Sequence, residues 1–321
     1  MTLTQQESAA ISHIRVLAML SIILCHFLQA LNNNYAWLFN IGVQIFLVMS
    51  GYLYGNKEIE SWSKWYKKRF LRIYVPFIMF FIAVLPLYVC NQLITLKKVV
   101  VYLFDLQGVA GGVKGKEHLW FLTAIALCYI VTPVLQLTSK YSRVILGLLM
   151  FVTLLWLLKL HVFTGHDNHR ISWFILYCFG YYYAKVGNIY KKVASVFVGI
   201  GLLYLISDFT WEKLLDYYGI YCIAIHVCGA ISIFLFFIFL FSRFRYAQTY
   251  PWLKFFDRYS FHIYIIHHII IMQPFSLLFI SANLYLNILF VLLYIGIFSF
   301  ILATISDKVE SYLVENCSIL R

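Results

Sequence analysis

Apolar residues along this chain come in long runs that hold few charges, broken by short segments where Lys, Arg, Asn and Gly collect. A helix rises 1.5 Å per residue and bilayer hydrocarbon is about 30 Å thick, so runs of roughly twenty residues predict membrane-spanning helices. They fall near residues 10–31, 37–55, 72–95, 118–138, 144–163, 171–187, 193–208, 218–242, 260–280 and 284–306, the sixth and seventh being short. The predicted fold class is an all-α polytopic membrane protein of about ten transmembrane helices enclosing a polar cavity. An even count puts both termini on one side. Sorting the 25 Lys and Arg by alternate loops leaves 18 on that side and seven on the other, namely Lys97, Lys98, Lys114, Lys116, Lys159, Arg170 and Lys213. Loops rich in Lys and Arg stay in the cytoplasm, so both termini are expected there.

Composition agrees with this pattern. At 63% apolar and 12% charged residues, with a mean hydropathy of +0.83, water is not the main solvent of the chain. The net charge of +12 does not point to nucleic acid, because the basic residues sit in short clusters between apolar runs, as topology signals do. The first run lacks the short core and small-residue cleavage site of a removed signal, and it reads as a retained span. No low-complexity tract, internal repeat or extramembrane domain stands out, which predicts one transmembrane domain over residues 1–321. The seven cysteines are scattered without metal-ligand spacing and read as small apolar residues. Residues 97–117 fit least well. Four lysines on the supposed outer side, beside the Gly-rich stretch Gly108 to Gly115, suggest a re-entrant or surface loop.

The polar residues inside the runs are the candidates for chemistry. Arg15 and His26 are eleven positions apart in the first span, which on a helix is about 20° in azimuth and about 16 Å in depth, so they share a face. Ionisable groups in a span are costly and usually face a cavity or partner; alternatively, Arg15 snorkels to lipid phosphate and His26 is satisfied by a neighbouring helix. The second span holds Gly42, Ser50 and Gly51, small residues that let backbones approach closely. A basic run from Lys64 to Pro76 leads into the third. It serves as a topology signal, and Lys68, Arg69 and Arg72 could also clamp phosphates from the cytoplasm. The fourth opens on Glu117, His118 and Trp120, a polar pair and an interfacial aromatic. In the ninth, Ser260, Tyr264 and His267 share a face at offsets of four and three, with His262 and His268 off that stripe. Zinc suits these histidines poorly, since no pair has i, i+4 spacing and Asp257 is the only nearby carboxylate, so no metal is expected.

Taken in order, these segments resemble the acyltransferase family 3 of bacterial membrane proteins, which O-acetylate cell-surface glycans. The resemblance covers most of the chain. Arg15 and His26 match the family's Arg-x10-His motif, and Gly42 to Tyr52 its Gly-Val-x-x-Phe-x-x-x-Ser-Gly-Tyr stretch. Arg69 to Pro76 match its Arg-x-x-Arg-Ile-x-x-Pro segment, His118 to Leu122 its His-Leu-Trp-Phe-Leu segment, and Ser260 to His267 its Ser-x-x-x-Tyr-x-x-His signature. The resemblance implies acetyl-coenzyme A as donor, a sugar hydroxyl as acceptor, ten core helices, and residence in the bacterial cytoplasmic (inner) membrane.

Residues and resemblance together lead to a membrane-bound O-acetyltransferase acting on a surface polysaccharide or a lipid-linked sugar. His26 is the expected base, because an imidazole with its ordinary pKa of about 6.5 can take a hydroxyl proton near neutrality and return it to the leaving thiolate. Arg15 would orient or electrostatically support the donor. Arg69, Arg72 and Lys68 are expected at the coenzyme A phosphates, and Ser50, His118, Trp120, Ser260, Tyr264 and His267 along the cavity. The rival class is a polysaccharide translocator that uses the same cavity without chemistry.

Overall fold

The computed structural model describes residues 4–160, 165–243 and 250–316, leaving aside the side chains of residues 165–168, 242, 243 and 316. The last residues of the fifth predicted span, 161–163, lie outside the described residues. Of the described residues 82% are helical and none lies in a strand. In order the helices are α1 (Gln5–Ala30), α2 (Ala36–Phe39), α3 (Gly42–Gly55), α4 (Trp62–Cys90), α5 (Leu96–Leu103), α6 (Gln107–Ala110) and α7 (Trp120–Leu137). They continue as α8 (Ser142–Leu157), α9 (Gly165–Lys185), α10 (Asn188–Ser207), α11 (Trp211–Leu215), α12 (Ile220–Arg243), α13 (Pro251–Ile271) and α14 (Leu284–Asn316).

Among the described residues, eight helical stretches are long and apolar enough to cross a membrane, on α1, α2 with α3, α4, α7, α8, α10, α12 and α14. The predicted spans at 171–187 and 260–280 fall on α9 and α13, each 21 residues long and richer in polar residues. Three elements depart from the sequence expectation by nine residues or more, among them α14, which runs to Asn316 rather than ending near 306. The third span begins at Trp62 rather than near 72, which draws the basic run into the helix. The ninth element covers 251–271 rather than 260–280, and Pro274, without an N–H and restricting the residue before it, bars its extension.

The chain divides into two compact units, the first built of Met1–Cys25, Asn33–Glu58 and Ile130–Asp257, the second of His26–Asn32, Ile59–Tyr129 and Arg258–Arg321. In the first unit α3 crosses α9 closely. A Cβ built on Gly51 would overlap the Tyr177 carbonyl, one on Gly180 would overlap the Val48 carbonyl, and one on Gly42 would overlap the Ala18 carbonyl of α1. Small residues here let backbones meet, as the second span's composition suggests. Helix α12 packs against α3, α8, α9 and α10, burying Val227, Ala230, Ile231 and Phe234. Thr132 and Thr138 hydrogen-bond to the hydroxyls of Tyr177 and Tyr182, both at 2.7 Å. The outward faces of α8 (Val144, Leu148, Phe151) and α10 (Val196, Ile200, Leu203) are apolar and exposed, as suits lipid rather than water.

In the second unit α4 packs on α14, whose Leu289, Leu293 and Phe300 face outward. Between α4 and α7 the chain folds back on itself. The Phe81 and Tyr102 rings stack at 5.1 Å, and Lys98 Nζ donates to the carbonyls of Ala110 and Gly111 at 2.8 and 2.7 Å, closing the end of α6.

Candidate active site

Four histidines gather in the second unit. His26 lies four residues before the end of α1, His118 in the single turn that leads into α7, and His267 and His268 near the end of α13. Ring centroids are 4.4 Å apart for His26–His268 and His118–His268, 5.1 Å for His26–His267 and His118–His267, and 6.4 Å for His26–His118. His118, His267 and His268 are 5%, 0% and 3% exposed, whereas His26 is half-buried. Of the four, His26 is the most exposed residue.

Carbonyl oxygens set the protons of the buried rings. His268 Nδ1 lies 3.0 Å from the Gly115 carbonyl, His267 Nδ1 2.7 Å from that of Tyr264, and His118 Nε2 3.2 Å from that of Ile265. A carbonyl only accepts, so each of these nitrogens carries the hydrogen and the other nitrogen of each neutral ring is an acceptor. Two of those acceptors, His118 Nδ1 and His267 Nε2, are buried without a hydrogen-bond partner. Rings this close cannot all be cationic, because like charges disfavour one another. His26 contacts Gln29, its Nδ1 lying 2.7 Å from the amide oxygen. Among the described residues no group of three His, Cys, Asp or Glu is arranged to hold a metal ion.

A second layer fixes this cluster. The Tyr264 hydroxyl donates to the His118 carbonyl, and Ser260 is buried one turn earlier on α13. Gly115, whose carbonyl receives His268, has φ +80°, in the left-handed region that favours glycine. The next residue, Lys116, is fully buried with its ammonium enclosed by rings: Nζ lies 3.6 Å from the Tyr88 centroid, 4.8 Å from Phe81 and 5.2 Å from Tyr102. Its Nζ has no hydrogen-bond partner, and burial pushes its pKa down to about 7. The same tyrosines hold the loop backbone, Tyr88 donating to the Lys114 carbonyl at 3.0 Å and Tyr102 accepting the Val113 N–H at 2.9 Å. Nearby in sequence, burial lifts Asp105 to about 7, against hydrogen bonds from Gln107 and Thr123.

The structure thus brings His26, His118, Tyr264 and His267 together, and leaves other sequence candidates elsewhere. Trp120 is half-buried beside Phe121. Arg69 is half-buried, and Lys68 and Arg72 are exposed, all in the first third of α4. Arg15 and Ser50 belong to the first unit. There Arg15 pairs with Asp257, which also accepts the Ser12 hydroxyl at 2.9 Å, and Ser50 is half-buried on α3. His262 is bound to Ser306 at 3.1 Å.

Sequence reasoning missed three participants. His268, placed off the stripe because neighbours on a helix differ by 100°, is central to the cluster, which is wide enough to receive both His267 and His268. Gln29, three residues from His26, was legible as an i, i+3 partner. Lys116 carried no signal, since its cage comes from Phe81 and Tyr88 on α4 and Tyr102 on α5.

Compared with family models, residues 8–306 match the one described as an acyltransferase domain. Searches of curated proteins and of solved structures return no match.

Proposed function

The chain belongs to acyltransferase family 3, whose domain occupies nearly all of it, and from that premise we propose that this multi-pass membrane acyltransferase carries acetyl from acetyl-coenzyme A to a sugar hydroxyl of a bacterial surface polysaccharide or its lipid-linked precursor. The observation that carries this reading is the half-buried His26 at the edge of three buried imidazoles. In the reaction the acceptor oxygen bonds to the thioester carbonyl carbon while its proton passes to His26. The carbon–sulfur bond then breaks, and the same proton goes to the coenzyme A sulfur, giving an ester and a free thiol.

Donor and acceptor sites follow from the proposed topology. Helices α9 and α13 are 21 residues long, about 31 Å at 1.5 Å per residue, and complete a set of ten spans in a single inner-membrane domain with both termini cytoplasmic. In that orientation the end of α1, the start of α7 and the end of α13 all reach the outer boundary, and these ends carry the four histidines. That agreement supports transfer near the outer face, where surface glycans are handled. Arg69, Arg72 and Lys68, at the inner end of α4, suit the phosphates of cytoplasmic coenzyme A. Arg15, already paired with Asp257, would give the donor electrostatic support. His118, Tyr264, His267 and Ser260, all in the second unit, would shape the acceptor cavity.

The test uses purified protein in detergent, acetyl-coenzyme A and surface polysaccharide from a deletion strain, following thiol release and polymer mass. Wild type should add one acetyl group per repeat, and His26→Ala should lose about 10² to 10⁴ in rate while staying folded. Unchanged acetylation by His26→Ala would remove the base. Thiol release by neither protein, with polysaccharide export lost in the deletion strain, would favour a translocator.

A further inference from the structure

His26 has to be oriented if it is to act as a base, and the hydrogen bond that does so comes from its own helix. Its Nδ1 lies 2.7 Å from Oε1 of Gln29, one turn on and on the same face. An amide oxygen only accepts, so this contact places the ring proton on Nδ1 and leaves the Nε2 lone pair available. The neighbouring histidines do not perform this task. Their N–H groups go to the carbonyls of Gly115, Tyr264 and Ile265, and the acceptors His118 Nδ1 and His267 Nε2 have no hydrogen-bond partner, so neither holds His26.

We propose that Gln29 is the positioning residue for acyl transfer, fixing His26 as the Nδ1–H tautomer with Nε2 turned to the acceptor hydroxyl. The inference rests on His26 being the base. The hydroxyl proton passes to Nε2 as the new ester bond forms, and leaves from Nε2 to the coenzyme A sulfur as the thioester bond breaks. Nδ1–H stays on Gln29 throughout. While the ring is an imidazolium that hydrogen bond is charge-assisted and stronger than in the resting state, so it favours the transition state over the ground state. A neutral amide achieves this without placing a carboxylate inside the membrane, where an ion is costly.

Three variants of the full-length protein separate the possibilities: Gln29→Leu, Gln29→Met, which keeps the side-chain length should Leu fold poorly, and Gln29→Glu, which keeps an acceptor oxygen. The apolar variants should lose roughly 10- to 100-fold in kcat, the effect of one charge-assisted hydrogen bond, with the KM for acetyl-coenzyme A unchanged. Gln29→Glu should recover most of that loss, which a merely structural role would not produce. Wild-type kcat in a folded apolar variant, with His26→Ala inactive, overturns the positioning role and leaves the base intact. A folded Gln29→Glu as slow as Gln29→Leu overturns the acceptor role. Activity in His26→Ala removes the base, and the role of Gln29 falls with it.

Discussion

Lys116 offers the sharpest physical test of how tightly the loop beside the histidines is built. The amine is fully buried, has no hydrogen-bond partner and is pushed from 10.5 to about 7 by desolvation. At 1.36 kcal/mol per unit, holding it as an ammonium in the folded chain costs about 5 kcal/mol. The faces of Tyr88, Phe81 and Tyr102 act in the opposite direction, at about 0.5 to 2 kcal/mol each. The folded pKa lies below the unfolded one, so between about pH 7 and 10 the unfolded chain holds more protons and wild-type stability rises with pH; below pH 7 the full cost is present. Lys116→Met keeps the stem and removes the charge, and with it that slope. Thermal unfolding of both proteins in detergent from pH 6 to 10 gives a difference from which other titrations cancel. The variant should be at least as stable as wild type at pH 6. Wild type should then gain on it by up to about 1.4 kcal/mol per pH unit, starting later the more the rings favour the cation. A difference that stays flat over the whole range would mean that water reaches the amine and that the cage is open.

Gly180→Ala should destabilise the protein by about 1 to 3 kcal/mol, because the new Cβ meets the Val48 carbonyl, whereas Gly147→Ala, with nothing within 4 Å, should be neutral or slightly stabilising; equal melting temperatures would refute the close crossing. Arg69→Gln with Arg72→Gln should insert normally and raise the KM for acetyl-coenzyme A more than that for the glycan, at about 1.5 to 3 kcal/mol per lost charged hydrogen bond, and an unchanged donor KM would move the phosphate site elsewhere.

What the sequence disclosed depends on how local each feature is. Span positions on α1, α4 and α14 follow from composition over twenty residues, and the helices are there within a few turns. Histidines inside apolar runs announce themselves because burying them needs a reason, and His26, His118 and His267 do meet. Their mutual distances were not legible, because they depend on how α1, α7 and α13 pack. The stripe argument also failed at His268, since it treats a helix face as narrow while a cluster of rings is broad. At Gly42 and Gly51 the small residues signalled close packing, but their partners, Ala18 and Tyr177, required the fold. Asp257 read only as a weak metal ligand, and its contact with Arg15 depends on tertiary structure alone.

The seven basic residues assigned to the outer side are the strain point of the proposed orientation, and the fold gives four of them structural duties. Lys159 and Lys213 both bind Asp208, at 3.0 and 2.7 Å, so their charge is shared with a carboxylate. Lys98 closes the end of α6 through two carbonyls. Lys116 sits among rings with a pKa near 7, so it can shed its proton at little cost and is the basic residue best suited to a buried place beside a span. None of these four needs a topological explanation. The basic run ahead of the apolar part of α4 is different in kind, since Lys64, Lys68 and Arg72 are exposed and clustered within nine residues. An exposed basic cluster at that end is what a chain with both termini cytoplasmic would be expected to show.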